Sequence, residues 1–151
     1  MSSDSRRETL ERLTLIPARI AEAVKRAEGK PQPEDQWPLR TILVHLIACE
    51  REIWQSRLQQ MAAEDNPQWK WTQPDHAEWE SFYARYSLHQ LLYVFALIRQ
   101  ETVNHLRRLA DDGWKRIGTH ATYGQMDVAG LCREILKHDE EHLAELLKRG
   151  E

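Results

Sequence analysis

Cysteine is scarce in this chain: two residues in 151, Cys49 and Cys132. Two cysteines make no disulfide framework, and both fall within apolar helical patterns, where a small buried thiol is an ordinary core residue. Long apolar runs are missing too. No stretch approaches the roughly 20 apolar residues of a membrane span. The opening Met1-Ser-Ser-Asp-Ser-Arg-Arg7 is not followed by the apolar run of a signal peptide. These absences predict a protein of the reducing cytoplasm with no membrane contact. An excess of one charge is also lacking: 21 Lys and Arg against 24 Asp and Glu leave a net charge of −3, with the signs mixed throughout. Such a chain has no clustered basic face for nucleic acid or an anionic membrane. Nor is there a glycine-rich phosphate loop, an internal repeat or a low-complexity segment.

What is present is ordinary in bulk, 41% hydrophobic and 30% charged, with six tryptophans. The length suits one domain over residues 1–151 with a sizeable core. Residues 1–8 are polar and predicted to fray. Helix one is predicted over about Thr9 to Ala27, with Leu10, Leu13, Ile20 and Val24 inward. Pro17 inside it demands a kink or a true start near Ile16. Glu28-Gly29-Lys30-Pro31-Gln32-Pro33 breaks the chain. Trp37-Pro38 opens a second helix from Leu39 to about Ala63. Its stripe is Ile42, His45, Leu46, Cys49 and Ile53.

Asp65 to Arg85 reads as a long connection rich in aromatics, with Trp69, Trp71, Trp79, Phe82 and Tyr83. It is either a lid over a pocket or a crossover packed on the bundle. Ser87 and Gln90 form a capping box for a third helix running to about Leu109, with His89 exposed at its start. Its face is Leu88, Leu91, Phe95, Ile98, Thr102 and Leu109, with His105 close by. Trp114 to Gln125 reads as a loop, and Asp127 caps the last helix. Four helices with one long connection between the second and third predict an all-α four-helix bundle.

The chemistry concentrates in the last helix. Val128, Leu131, Ile135 and Leu146 form an apolar stripe, and His138 and His142 fill its gap. Four residues apart on a helix, the two imidazoles face the same way and can close on one cation. Asp139, Glu140 and Glu141 are expected on the solvent side. Periodicity turns both His45 and His105 inward, and either is a candidate third ligand. Cys49, one turn beyond His45, either reaches the same ion or lines the pocket.

Three ordered motifs carry a resemblance. The first is Trp37 followed by His45-Leu46. The second is Arg99 and Thr102 with Leu106 and Leu109, leading to Trp114, Gly118, His120 and Gly124. The third is His138-Asp139 followed by His142-Leu143. Together, from about residue 9 onward, they resemble the DinB-like family, damage-inducible four-helix proteins that include bacillithiol and mycothiol S-transferases. The resemblance implies a four-helix bundle that often dimerises and a metal triad of His45, His138 and His142. It implies thiol S-transfer or metal-dependent hydrolysis of a small molecule, with a low-molecular-weight thiol as one partner; many members have no known activity. The family often has glutamine where this chain has Glu145, leaving that residue as a fourth ligand, an acceptor for an imidazole N–H, or a solvent-facing group.

Three neutral imidazoles leave coordination positions open, and zinc, nickel, iron and cobalt all suit such a donor set. The open position serves either to make hydroxide from bound water or to stabilise a thiolate nucleophile. Glu145 and His120 are the candidate catalytic groups, with Tyr123 and the Trp69 to Trp71 region shaping the pocket. The competing expectation is a non-catalytic metal- or ligand-binding stress protein with a closed coordination sphere. An exposed apolar stripe on helix one or helix three would pair two subunits.

Overall fold

Helix α1 spans Ser3–Glu28 in the computed structural model, which describes residues 2–151. It starts six residues before the predicted Thr9, so residues 3–8 are helical rather than frayed; Met1 lies outside the described residues. The reason is local. The Ser2 hydroxyl accepts the Ser5 amide at 3.1 Å, and Asp4 suits the positive end of the helix dipole. One turn further, the Arg6 guanidinium reaches Asp111 and lies 5.2 Å from the Trp114 ring centroid.

The helix also runs through Pro17. Proline has no N–H to give the carbonyl four residues back, that of Leu13. That carbonyl accepts instead from Arg99 Nη1 at 3.1 Å.

The second helical segment is continuous from Leu39 to Ala63 but not uniform. Helix α2 (Leu39–Cys49) passes into a π-helical turn, Glu50–Gln55, and then into α3 (Ser56–Ala63). The wide turn shifts the inward stripe by one residue. Ile42, Leu46 and Cys49 face the core as predicted, but beyond them Glu50, Trp54, Leu58 and Met61 are buried rather than Ile53. Helix α4 (His76–Phe82) lies in the connection and packs on α2. Helix α5 (Leu88–Arg107) begins with the Ser87–Gln90 capping box, α6 (Asp111–Trp114) is one turn, and α7 (Val128–Arg149) starts where Asp127 accepts the Gly130 amide at 2.8 Å. The bundle consists of α1, the α2–α3 segment, α5 and α7. Helix α1 packs on both α5 and α7, and α2 on α5. Among the described residues no helix is long and apolar enough to cross a membrane.

The predicted loops hold a small sheet that the helical reading did not contain. Its strands are β1 (Gln68–Trp69), β2 (Ile117–His120) and β3 (Gly124–Asp127), in that order, with β1 parallel and β3 antiparallel to β2. Strands of two to four residues are too short for a period to show. Gly118 lets the sheet close: a Cβ there would sit 2.2 Å from the Trp69 ring. The Trp69 indole in turn donates to Gln60 Oε1 at 2.8 Å, tying the sheet to α3.

Candidate metal centre

Helix α2 supplies His45, and α7 supplies His138 and His142 one turn apart. Each ring offers one nitrogen to a cluster whose atoms all lie within 4.8 Å of one another. His45 Nε2 and His138 Nε2 are 3.2 Å apart. Two ligands of one tetrahedral ion, with metal–nitrogen bonds of about 2.0–2.1 Å, stand roughly 3.3 Å apart. Burial, and then the neighbouring rings with His142 first, hold the His45 pKa down to about 3. Burial, His142 and Arg99 hold His138 to about 4. Both rings are therefore neutral near pH 7 and keep a lone pair, the state a metal ligand requires.

Two of the rings have hydrogen-bonding partners on their far side. Glu145 Oε2 lies 3.3 Å from His142 Nδ1, so the carboxylate accepts that proton and leaves the Nε2 lone pair available. The other Glu145 oxygen accepts from Arg149 at 2.9 Å. Glu145 thus sits behind His142. His76 stands behind His45: its Nε2 is 2.9 Å from His45 Nδ1, one of the two nitrogens donating to the other, and Trp37 stands edge-on to both rings. The sequence reading missed His76. It follows the Asp75 N-cap in a connection without periodicity, and only the packing of α4 on α2 brings it in. His138 Nδ1 is buried with no partner, an unspent polar atom beside the three-nitrogen cluster.

His105, the competing third ligand, lies elsewhere. It borders Leu58, Met61 and Arg116 on the α3–α5 side, away from the other histidines. His89 is exposed. Cys49 Sγ rests 3.5 Å from His45 Nε2, and burial pushes its pKa up to about 12, so it is a protonated thiol lining the site. His120, on β2, is buried, and its Nδ1 accepts the Thr122 and Tyr123 amides at 3.0 and 3.3 Å. Its proton is therefore on Nε2.

The expected solvent side of α7 is only partly so. Glu140 and Glu141 are exposed, but Asp139 is 1% exposed, as is Arg99. Arg99 binds Glu50 through Nε and Nη2, the latter at 2.7 Å, and Asp139 Oδ1 through Nη2 at 3.1 Å. Asp139 Oδ2 is 2.9 Å from Nη1 but off its N–H direction, an ion pair without a hydrogen bond. Thr102 donates to Glu50 Oε2 at 3.2 Å. Burial lowers the Arg99 pKa; Glu50 and Asp139 outweigh it and raise the guanidinium pKa. Burial lifts Asp139 to about 6 against the pull of Arg99. The π-turn is what points Glu50 inward, and no straight-helix pattern shows it.

The histidines open on a cavity of roughly 370 Å³. Its walls include Trp37, Trp54, Trp71 and Tyr123 from four separate segments, and its charged groups are Arg57, Glu134, Lys137 and Glu141. Trp71 belongs to this wall; Trp69 does not, being committed to the sheet.

No curated protein matches the sequence. Among solved structures, the chain is similar to YfiT from Bacillus subtilis, described as a probable metal-dependent hydrolase with an unusual four-helix bundle topology. The TM-score is 0.78 at 18% identity, covering 99% of this chain and 87% of that one. At that identity the likeness shows a shared fold. The sequence model of the DinB superfamily matches residues 3–146. With that match spanning nearly the whole chain, and the same bundle in the structure, the protein belongs to the DinB superfamily.

Proposed function

We propose that this chain is a divalent-metal enzyme that activates a small nucleophile against a small molecule bound in the cavity. The nucleophile is water in a hydrolysis or a low-molecular-weight thiol in an S-transfer. One observation carries the reading: three imidazoles converge on the wall of an open cavity, and among the described residues no fourth donor joins their cluster. Structural sites take four protein ligands, whereas catalytic sites leave a position for water or substrate. Cys49, whose sulfur rests 3.5 Å from His45 Nε2, is held as a neutral thiol by burial. That openness favours an enzyme over a closed, non-catalytic site.

His45, His138 and His142 would hold the ion, and zinc, nickel and iron all accept such donors. Bound there, the ion supplies Lewis acidity that lowers the pKa of a coordinated water or thiol. The protein does the rest. His76 and Glu145 hold His45 and His142 in the tautomers that present Nε2. Glu141 and Glu134, the carboxylates of the cavity, stand where a released proton can be taken up. The indoles of Trp37, Trp54 and Trp71 limit water around the reacting groups and contact an apolar substrate body. The description of YfiT as a probable metal-dependent hydrolase supports the hydrolytic arm. The family resemblance supports the thiol arm.

The test begins with elemental analysis of untagged protein purified without metal-affinity resin. About one transition-metal ion per chain, absent from a His138→Ala variant, is the expected result. Esters and amides, then thiol–electrophile pairs, are screened with that metal. No metal as purified and no uptake of zinc, nickel or iron overturns the proposal.

A further inference from the structure

The cavity carries a second polar cluster besides the three histidines. Arg57 Cζ lies 5.8 Å from the Trp54 ring centroid and 5.2 Å from that of Trp69. Two indoles therefore hold a planar guanidinium in place. Among the described residues that guanidinium makes no hydrogen bond; Glu134 acts on it only through its charge. A half-buried arginine with its donor fork unspent, on a cavity wall, is prepared for an anion.

His120 adds a second donor. The Thr122 and Tyr123 amides occupy its Nδ1, so its remaining polar atom is an N–H. Both residues line the cavity. Burial and then the Arg57 charge lower the His120 pKa. Two donors on one cavity lining suit an oxyanion. Glu134 acts on both residues and faces the same space. Its charge disfavours a dianion and leaves a singly charged carboxylate as the better guest. The Trp54 indole links this cluster to the metal centre, with its ring centroid 5.6 Å from that of His138.

We propose that Arg57 and His120 form a carboxylate subsite. It holds the carboxylate of a small substrate whose apolar body lies along Trp54 and whose far end reaches the three histidines. The proposal deepens the enzyme reading above and rests on the cavity being its substrate pocket. It gives His120 the role of a fixed hydrogen-bond donor in place of a proton acceptor.

The test is a titration of the full chain, chelator-stripped and then zinc-loaded, with phenylacetate, phenylacetamide and phenyl phosphate. Binding is followed by the indole N–H signals of Trp54 and Trp71 in heteronuclear NMR. Phenylacetate should bind about ten-fold tighter than its neutral amide, the scale of one charge-assisted hydrogen-bonded contact, and tighter than the phosphate dianion. The preference should be present with and without zinc. Arg57→Gln should erase it, and Arg57→Lys, which keeps charge but not the fork, should restore only part. Equal affinities, no binding, or a preference retained in Arg57→Gln overturns the subsite. So does a preference seen only with zinc, because the carboxylate would then sit on the ion. If Arg57→Gln fails to fold, Arg57→Lys decides the matter: an undiminished preference overturns the fork. Failure to take up zinc while the preference persists refutes the metal reading and leaves the subsite standing.

Discussion

Two polar clusters sit side by side in the bundle, reached from adjacent residues of one helix, and they are built on opposite terms. The Glu50–Arg99–Asp139 network spends its charges internally. Arg99 gives its N–H groups to two carboxylates and to the Leu13 carbonyl, and Thr102 gives its hydroxyl to Glu50. The histidine cluster spends only its outer nitrogens, on His76 and Glu145, and leaves lone pairs facing one another. Buried polar groups in folded proteins are nearly always partnered. A network whose charges are paired holds helices together; one whose lone pairs face one another is suited to a ligand. His138 and Asp139 are neighbours in sequence and belong to different machines.

The comparison breaks first at Arg99. Arg99→Met leaves two buried carboxylates facing each other and should cost about 3–5 kcal/mol, read as a lower urea midpoint or a chain that does not fold. His138→Ala in the metal-free protein should cost far less, because no charged partner is orphaned. If the two losses are similar, the division between structural and functional clusters is wrong.

The second effect belongs to the metal. Zinc at about 100 times its Kd should stabilise the wild type by roughly 2.7 kcal/mol. The shift should vanish in His138→Ala and persist in an Asp139→Asn variant that folds. Thermal melts with and without zinc check both.

A third prediction sharpens the role of the residues behind the histidine cluster. His76→Ala should weaken zinc binding by about 10–100-fold, measured by competition with a chromophoric chelator, and His76→Gln should recover part of it. An unchanged Kd shows that His76 merely neighbours His45. A cobalt spectrum that loses a histidine ligand in the variant shows that it coordinates.

The smallest effect is the most diagnostic. His45 and His138 have folded pKa values near 3 and 4, below the ordinary 6.5, so the unfolded chain takes up more protons as acid is added. Their contribution to metal-free stability is complete above about pH 6.5 and declines toward pH 4. Asp139 has the opposite sign. Its pKa is raised from 3.8 to about 6, so its contribution is most favourable below about pH 4 and is lost as pH rises through 6. Urea melts across this range should show wild type losing ground to His45→Gln as pH falls, and gaining ground on Asp139→Asn. Parallel slopes in both comparisons mean that neither burial nor pairing sets these groups apart.

The helices of the bundle were legible because each buries one stripe, and a stripe repeats. The histidine pair of α7 was legible for the same reason, since it interrupts such a stripe at a spacing that two ligands share. The capping residues Ser87 and Asp127 announced their helices because capping chemistry is local. Asp139 was misplaced because charge patterns carry no sign of a partner on another helix. Glu50, the other carboxylate on Arg99, was hidden by the π-turn, which adds one residue to the helical period and cannot be seen in a straight-helix count. His76, Gly118 and Trp69 were silent because their roles depend on which distant segment lies against them.

Local order thus came from the sequence alone: four amphipathic helices, their caps, and two histidines aimed the same way from α7. What tertiary structure decided was convergence. Bringing α2 against α7 makes His45 the third ring and excludes His105, and bringing α4 onto α2 sets His76 behind it. Closing the small sheet on α3 places Arg57 and His120 on one cavity wall. Periodicity fixes directions along one helix, whereas distances between segments follow from how the whole chain packs.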